Sequence, residues 1–343
     1  VSGAALTDPL RIGDVEIANR VLLAPLAGIG NWFVRLQARR HGAGLAVSEM
    51  VSSHALHHRN ERTLRELLVV DPREHPVAIQ LFGSDPEVMR SGAAIAAEAG
   101  ADLIDLNMGC PVRKVRRSGA GVELLADPAL AVEVTRAAAE GSGRPVTVKL
   151  RSGLEPGDSS GLDLAVRLVV EGGASAIAFH PRPAAVQHKG SPDYALAREL
   201  TRRVEVPVIL SGGLHSVDRV RWAYELSGAD AVMIARGSLG NPWIFEQLLG
   251  RRCGPPTGSE VAAELLWVID RAAEHFGARA CHYLRKFYPW YLGRLGLGRR
   301  QANAFQRLEE LAQVRARIEA IAALRAAPRA LRETVQAEPA PLL

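Results

Sequence analysis

Residues 107–117 read NMGCPVRKVRR. Cys110 stands between a glycine and a proline, after the apolar run LIDLN and just ahead of Arg113, Lys114, Arg116 and Arg117. A thiol at such a turn has three chemical readings. It is a packing group, the usual fate of a free cysteine. It is a nucleophilic thiolate drawn out by nearby positive charge. Or it is a proton donor, because a thiol with a reference pKa of about 8.5 is largely protonated at neutral pH. Lys149, in VKLRSG, poses a second question. An ammonium inside a run that reads as interior is costly unless an anion or an electron-rich ring answers it. Gln80 within AIQLFG, Asn107, and His180 with Arg182 in HPR are further polar interruptions of apolar runs. Taken singly, a buried amide or imidazole serves just as well to satisfy the core. Ser211-Gly212-Gly213 and Ala235-Arg236-Gly237 suit backbone binding of a phosphate, with Arg236 as an added partner. Pro25-Leu26-Ala27-Gly28 makes a tight turn, and Glu49 closes the run after it. The set describes a pocket for a phosphorylated cofactor whose functional part meets Lys149 and Gln80. A flavin fits, since a cation beside its ring stabilises the anionic reduced form. Spacing alone leaves other phosphate-bearing ligands open.

The elements that must carry these residues follow from the pattern. Eight short apolar runs lie at 21–28, 44–50, 77–83, 102–109, 146–153, 176–182, 206–213 and 230–237. Amphipathic or Ala-rich stretches separate them, several opening on Asp-Pro or Ser and closing on Gly. Eight strand–helix units over this length predict an α/β fold, a (β/α)8 TIM barrel, with every polar interruption at the C-terminal end of a strand, where such barrels hold their chemistry. Continuous apolar strands fit a parallel sheet buried on both faces. No GxGxxG follows the first strand, which argues against a doubly wound sheet. LRIGDVEIANR reads as a hairpin able to close the barrel floor. RRCGPPTGS (251–259) reads as a linker, and the helical period from Glu260 to about Ala327 predicts a C-terminal all-helical domain. The expected division is 1–250 for the barrel, 251–330 for the helical domain and 331–343 for a loose tail.

The 343 residues carry a net charge of +5, concentrated at one end. Residues 251–343 hold 15 Lys+Arg against 9 Asp+Glu, and no acid stands between His275 and Leu308. Such a surplus reads as a polyanion-facing surface, or as a solvated helix face. Three cysteines at wide spacing, without CxxC, argue against disulfides and structural zinc, so no metal site is expected and a reducing cytoplasm is the natural compartment. No signal peptide or membrane span is expected.

With these motifs in view, the sequence resembles the tRNA-dihydrouridine synthases, closest to the bacterial B-type members. The likeness runs through APLAG (24–28), GLAVSEMVSS (44–53), IQLFGSDP (79–86), DLNMGCPVRKVRRSGAG (105–121), VKLRSG (148–153), HPRP (180–183), ILSGG (209–213), MIARGSLGNPWIF (233–245) and HYLRKFYPWYLG (282–293). It implies an FMN-dependent enzyme, re-reduced by NADPH, that reduces uridine in tRNA. On that likeness Pro25, Leu26, Ala27, Gln80, Lys149, His180, Ser211, Gly212, Gly213, Ala235, Arg236 and Gly237 bind FMN. Cys110 is the proton donor, and Asn107 and Arg182 hold the target nucleotide. Lys114 lies on the loop covering the site, and the helical domain, including Arg285 and Lys286, meets tRNA. A monomer is the default expectation. The family commonly has Asn-Gly-Asp where this chain has Ser211-Gly212-Gly213, and His-Gly-Arg-Thr where it has His180-Pro181-Arg182-Pro183. The competing functions are a flavin barrel acting on a free small molecule, a non-catalytic tRNA-binding factor, and a phosphate-sugar enzyme without flavin. Of the six aromatics between 276 and 291, most are expected to pack the small domain, leaving its basic residues exposed.

Overall fold

The computed structural model describes residues 3–326. A short antiparallel hairpin opens the chain, β1 (Leu10–Ile12) and β2 (Val15–Ile17), turning at Gly13 with φ +58°. Then come β3 (Val21–Leu23), β4 (Leu45–Val47), β5 (Val51–Ser52), β6 (Val77–Phe82), β7 (Leu103–Met108), β8 (Val146–Arg151), β9 (Ala176–His180), β10 (Val208–Ser211) and β11 (Ala231–Ile234). Eight of these pair in parallel in a closed ring: β3 with β4, β4 with β6, then β6 through β11 in sequence, and β11 back to β3. This is the (β/α)8 barrel, and each of the eight apolar runs supplies one of its strands. The two-residue β5 extends the second unit, pairing Val51 with Leu81.

The helices start where the sequence supplies a cap. Asp85 caps Pro86–Glu98, Asp127 caps Pro128–Ser142, and Ser216 caps Val217–Ser227. Left-handed glycines, Gly143 and Gly228, end the last two.

Alternation along the strands sets the interior. In β7, Ile104, Leu106 and Met108 lie on one face, and Leu103, Asp105 and Asn107 on the other. Leu103 belongs to a buried cluster with Leu22, Leu45, Ala78, Ala176, Ile209 and Ala231, and with Leu10, Ile12 and Ile17 of the hairpin. The hairpin therefore packs into the N-terminal layer of the barrel. Towards the C-terminal ends the same interior face turns polar. Register places Gln80 beside Asp105 and Asp105 beside Thr147; one step further Asn107 lies beside Lys149, and then Arg151 beside His180.

By its contacts the chain divides into two compact units, Val1–Ser238 with Ile244–Arg252, and Leu239–Trp243 with Cys253–Leu343. The crossing thus falls two residues later than the sequence division, and Leu239–Trp243 belongs with the helices. A Cβ on Gly240 would stand 2.7 Å from Cβ of Trp290, so this short segment threads tightly into the second unit. That unit is all helical: Gly258–Phe276, opened by a Thr257–Glu260 capping box, then Ala280–Leu284, Tyr288–Arg294, Arg299–Gln306 and Leu311–Ala326. The tail at 331–343 lies outside the described residues. No helix among the described residues is long and apolar enough to cross a membrane.

Candidate active site

The C-terminal ends of β8 to β11 and the turn after β3 enclose one cavity. Its walls include Pro25, Lys149, His180, Arg182, Ser211, Gly212, Gly213, Ala235, Arg236 and Gly237. Ten of the residues singled out by sequence thus converge. His188, which sequence reasoning passed over, lines it too, its ring stacked at 6.2 Å on that of His180.

Two glycine turns form one wall. Gly212 (φ +96°) and Gly213 (φ +73°) take left-handed backbone, and a Cβ on Gly212 would stand 2.2 Å from Cδ2 of His180. The Tyr194 hydroxyl donates to the Gly212 carbonyl at 2.9 Å and fixes the turn from behind. The N–H groups of Gly213 and Leu214 find no backbone acceptor among the described residues, which suits a phosphate. Arg182 Nε is buried without a partner, while its terminal nitrogens reach the Gly190 carbonyl and His180.

The charges here are nearly all positive. Burial pushes Lys149 down to about 8, helped by Arg151 and opposed by Asp105. Burial, with Lys149, Arg151 and Arg182 around it, holds His180 far below its ordinary value, so it is neutral at pH 7. His188 is lowered by burial and by Arg236. Arg151, buried and lowered to about 10, donates to the carbonyls of Gly109 (2.9 Å) and Gln187 (2.8 Å). An anionic ligand answers this excess of charge.

Gln80, Asn107 and Cys110 do not line that cavity. They form the adjoining rung network. Gln80 Nε2 donates to Asp105 (2.6 Å), and Asn107 Nδ2 donates to Gln80 Oε1 (2.9 Å). The N–H groups of Gly109 and Cys110 donate to Asn107 Oδ1 at 3.2 and 3.0 Å. Register joins the two sets, since Asn107 and Lys149 are partners across β7 and β8. The Cys110 side chain is half-buried and near enough to Lys149 and Arg151 to act on their charges. Gly121 (φ +66°) lets the Cys110 turn close, for a Cβ there would stand 2.5 Å from the Cys110 carbonyl.

Other expected residues stand apart. Leu26 is buried, its carbonyl accepting from Ile29 and Gly30, and Ala27 is exposed. Glu49 accepts from Gly28 N at 2.7 Å and so supports the turn beside Pro25. Lys114 is exposed on the helical turn Arg113–Arg116, which Val115 anchors. In the helical unit Phe287, Tyr288 and Tyr291 are buried, while Phe276, Tyr283 and Trp290 are half-buried. Arg279, Lys286, Arg294, Arg299 and Arg300 are exposed, but Arg285 is partly buried, reaching the Leu308 carbonyl at 3.5 Å. Among the described residues no group of three or more His, Cys, Asp or Glu could hold a metal ion.

The class comes first from fold. The chain is similar to morphinone reductase in complex with tetrahydroNAD, with a TM-score of 0.51 at 19% identity over 76% of this chain and 94% of that one. It is likewise similar to a 2-naphthoyl-CoA reductase, with a TM-score of 0.57 at 13% identity over 72% of this chain and 52% of that one. At these identities the likeness is one of barrel architecture. Sequence then gives the family. The family model described as dihydrouridine synthase (Dus) matches residues 22–333. tRNA-dihydrouridine synthase B of Shewanella oneidensis is 32% identical over 82% of this chain and 89% of its own length. Its namesake in Pseudomonas aeruginosa is 34% identical over 88% and 92%. The chain belongs to the dihydrouridine synthase family.

Proposed function

We propose that this chain is a tRNA-dihydrouridine synthase, reducing the C5=C6 bond of uridine in tRNA with FMN as cofactor and NADPH as reductant. The observation that carries this reading is the joining, through the Asn107–Lys149 register pair, of a cation-rich glycine-walled cavity to a turn that holds a free thiol.

The residues present fit FMN. Its phosphate suits the Ser211–Gly213 and Ala235–Gly237 turns, where a Cβ on Gly212, Gly213 or Gly237 would collide with His180, Tyr194 or the Leu214 carbonyl. Lys149 supplies a cation for the electron-rich part of the ring, and Pro25 lines the same cavity. When bound and reduced, FMN supplies a hydride to uracil C6. Negative charge then spreads over C5 and O4, and a proton must reach C5. Cys110 would give that proton to C5 from its thiol, becoming a thiolate. Asn107 and Arg182 hold the nucleotide. A uridine inside folded tRNA has to leave its stack to reach such a site. Exposed Arg113, Lys114 and Arg117 in the barrel unit, and Lys286 with Arg279, Arg294, Arg299 and Arg300 in the helical unit, meet phosphates. These features favour a cytoplasmic RNA-modifying enzyme over a small-molecule reductase.

The test is direct. FMN-loaded protein with NADPH and unmodified tRNA should yield dihydrouridine at discrete positions by mass spectrometry, and the tRNA concentration needed should rise with salt. NADPH oxidation driven by free pyrimidines, with no dihydrouridine in tRNA, would instead identify a small-molecule reductase. A companion variant probes the cavity. Gly212→Ala drives a methyl into His180 from left-handed backbone, and FMN loading, read from flavin absorbance per protein, should fall roughly tenfold or more. Full loading in that variant would remove this turn from the cofactor site.

A further inference from the structure

We propose that Asp105 is a positioning residue whose carboxylate sets the direction of a hydrogen-bond relay ending at the backbone of Cys110. The inference rests on the reading of Cys110 as proton donor.

Asp105 is fully buried and is the only acid in the polar rungs of the barrel interior described above. Thr147 Oγ1 donates to its Oδ1 at 2.5 Å, and Gln80 Nε2 donates to its Oδ2 at 2.6 Å. Burial pushes the carboxyl up to about 6, but these two bonds and the Lys149 charge keep it ionised at neutral pH. An ionised carboxylate only accepts. Gln80 must therefore turn its NH2 to Asp105 and its oxygen to Asn107. Asn107 must then turn its own NH2 to Gln80, at 2.9 Å, leaving Oδ1 to accept from Gly109 N and Cys110 N. Each side-chain amide could be flipped in isolation. Reversing either here would set donor against donor, either between Gln80 and Asn107 or between Asn107 and the N–H groups of Gly109 and Cys110. The carboxylate thus selects one polarity for the whole chain of bonds, and that polarity holds the turn on which the thiol stands.

The relay predicts a local signature. In FMN-loaded Asp105→Leu, hydrogen exchange at the Gly109 and Cys110 amides should accelerate roughly tenfold, about the worth of one hydrogen bond. Amides of β9 and β10 should keep their protection. Asp105→Asn should restore most of it, because its oxygen can face Gln80 while its NH2 faces the Thr147 hydroxyl. Dihydrouridine formation per bound flavin should fall and recover in the same order. Asp105→Ala takes the place of Asp105→Leu, with the same expectation, if the leucine variant does not fold. Unchanged exchange at Gly109 and Cys110 would overturn the proposal. So would acceleration spread evenly over the barrel, which marks a purely structural role. A wild-type protein that makes no dihydrouridine would sink the reading of the reaction, while the exchange pattern still decides the relay.

Discussion

Cys110→Ala should keep its flavin and lose dihydrouridine formation by roughly 10²- to 10⁴-fold, the span over which a positioned general acid accelerates a reaction. The turn around it is held by backbone groups that the substitution does not touch. The Cys110 N–H still donates to Asn107, and the Cys110 carbonyl still accepts from Val122 N at 3.2 Å. The Gly109 carbonyl remains pinned by Arg151. Only the sulfur is deleted, so the variant isolates the proton. Single-turnover mixing of pre-reduced protein with tRNA is the decisive measurement. Flavin absorbance should return slowly, in step with the slow appearance of product, because the charge left at C5 has no donor but water. Cys110→Ser should stay nearly as slow, since a hydroxyl is far less acidic than a thiol. Normal turnover in Cys110→Ala would end the proton-donor assignment and return the thiol to a packing role. Cys253 and Cys281 serve as controls. Cys281 is buried in the helical unit with Sγ donating to the Leu308 carbonyl at 3.4 Å.

What the sequence disclosed depended on how strongly each residue violated its local pattern. Eight apolar runs punctuated by caps and glycines declare a parallel barrel, because burial on both faces removes alternation and leaves continuous Val, Ile and Leu. Lys149 and Cys110 were visible because neither belongs where it stands. Asp105 violates the same rule inside LIDLN, and an acid within a doubly buried strand is itself a signal. Its role needed the register, which no single strand contains. Gln80, Asp105 and Thr147 come from three separate segments and meet only when β6, β7 and β8 pair in register. Arg151 was hidden by its neighbour Lys149, and His188 by an irregular loop without a period to break. Arg285 illustrates the opposite limit. Its place in a basic run reads as exposed, but tertiary packing against Leu308 draws it inward. Charge patterns give the sign of a surface, and only packing selects which cations reach it.

Lys149→Met should move stability and cofactor binding in opposite directions. The folded protein holds this lysine down at about 8 against an ordinary 10.5, chiefly through burial. A lowered lysine pKa means that the folded state pays to keep the charge. The penalty is fully present below pH 8 and fades as pH rises through about 10.5, where both folded and unfolded forms have lost the proton. Removing the ammonium should therefore stabilise the flavin-free protein at pH 7, by something on the order of 3 kcal/mol at most. Thermal unfolding of apo-protein reads this directly. Binding an anionic cofactor reverses the sign, because the cation then has a partner. FMN should bind Lys149→Met more weakly, and its reduction potential should fall by some tens of millivolts as the reduced anion loses its counter-charge. Linkage supplies a further check. An anionic reduced ring beside Lys149 raises its pKa again, so wild-type affinity for reduced FMN should weaken as pH climbs from 8 towards 10, with proton uptake on binding. Lys149→Met should show neither trend. Apo and loaded variants that lose stability together would make Lys149 a structural residue. Crossed signs would make it a charge that the fold keeps half-buried at the cavity wall, against its own stability, for the sake of the cofactor.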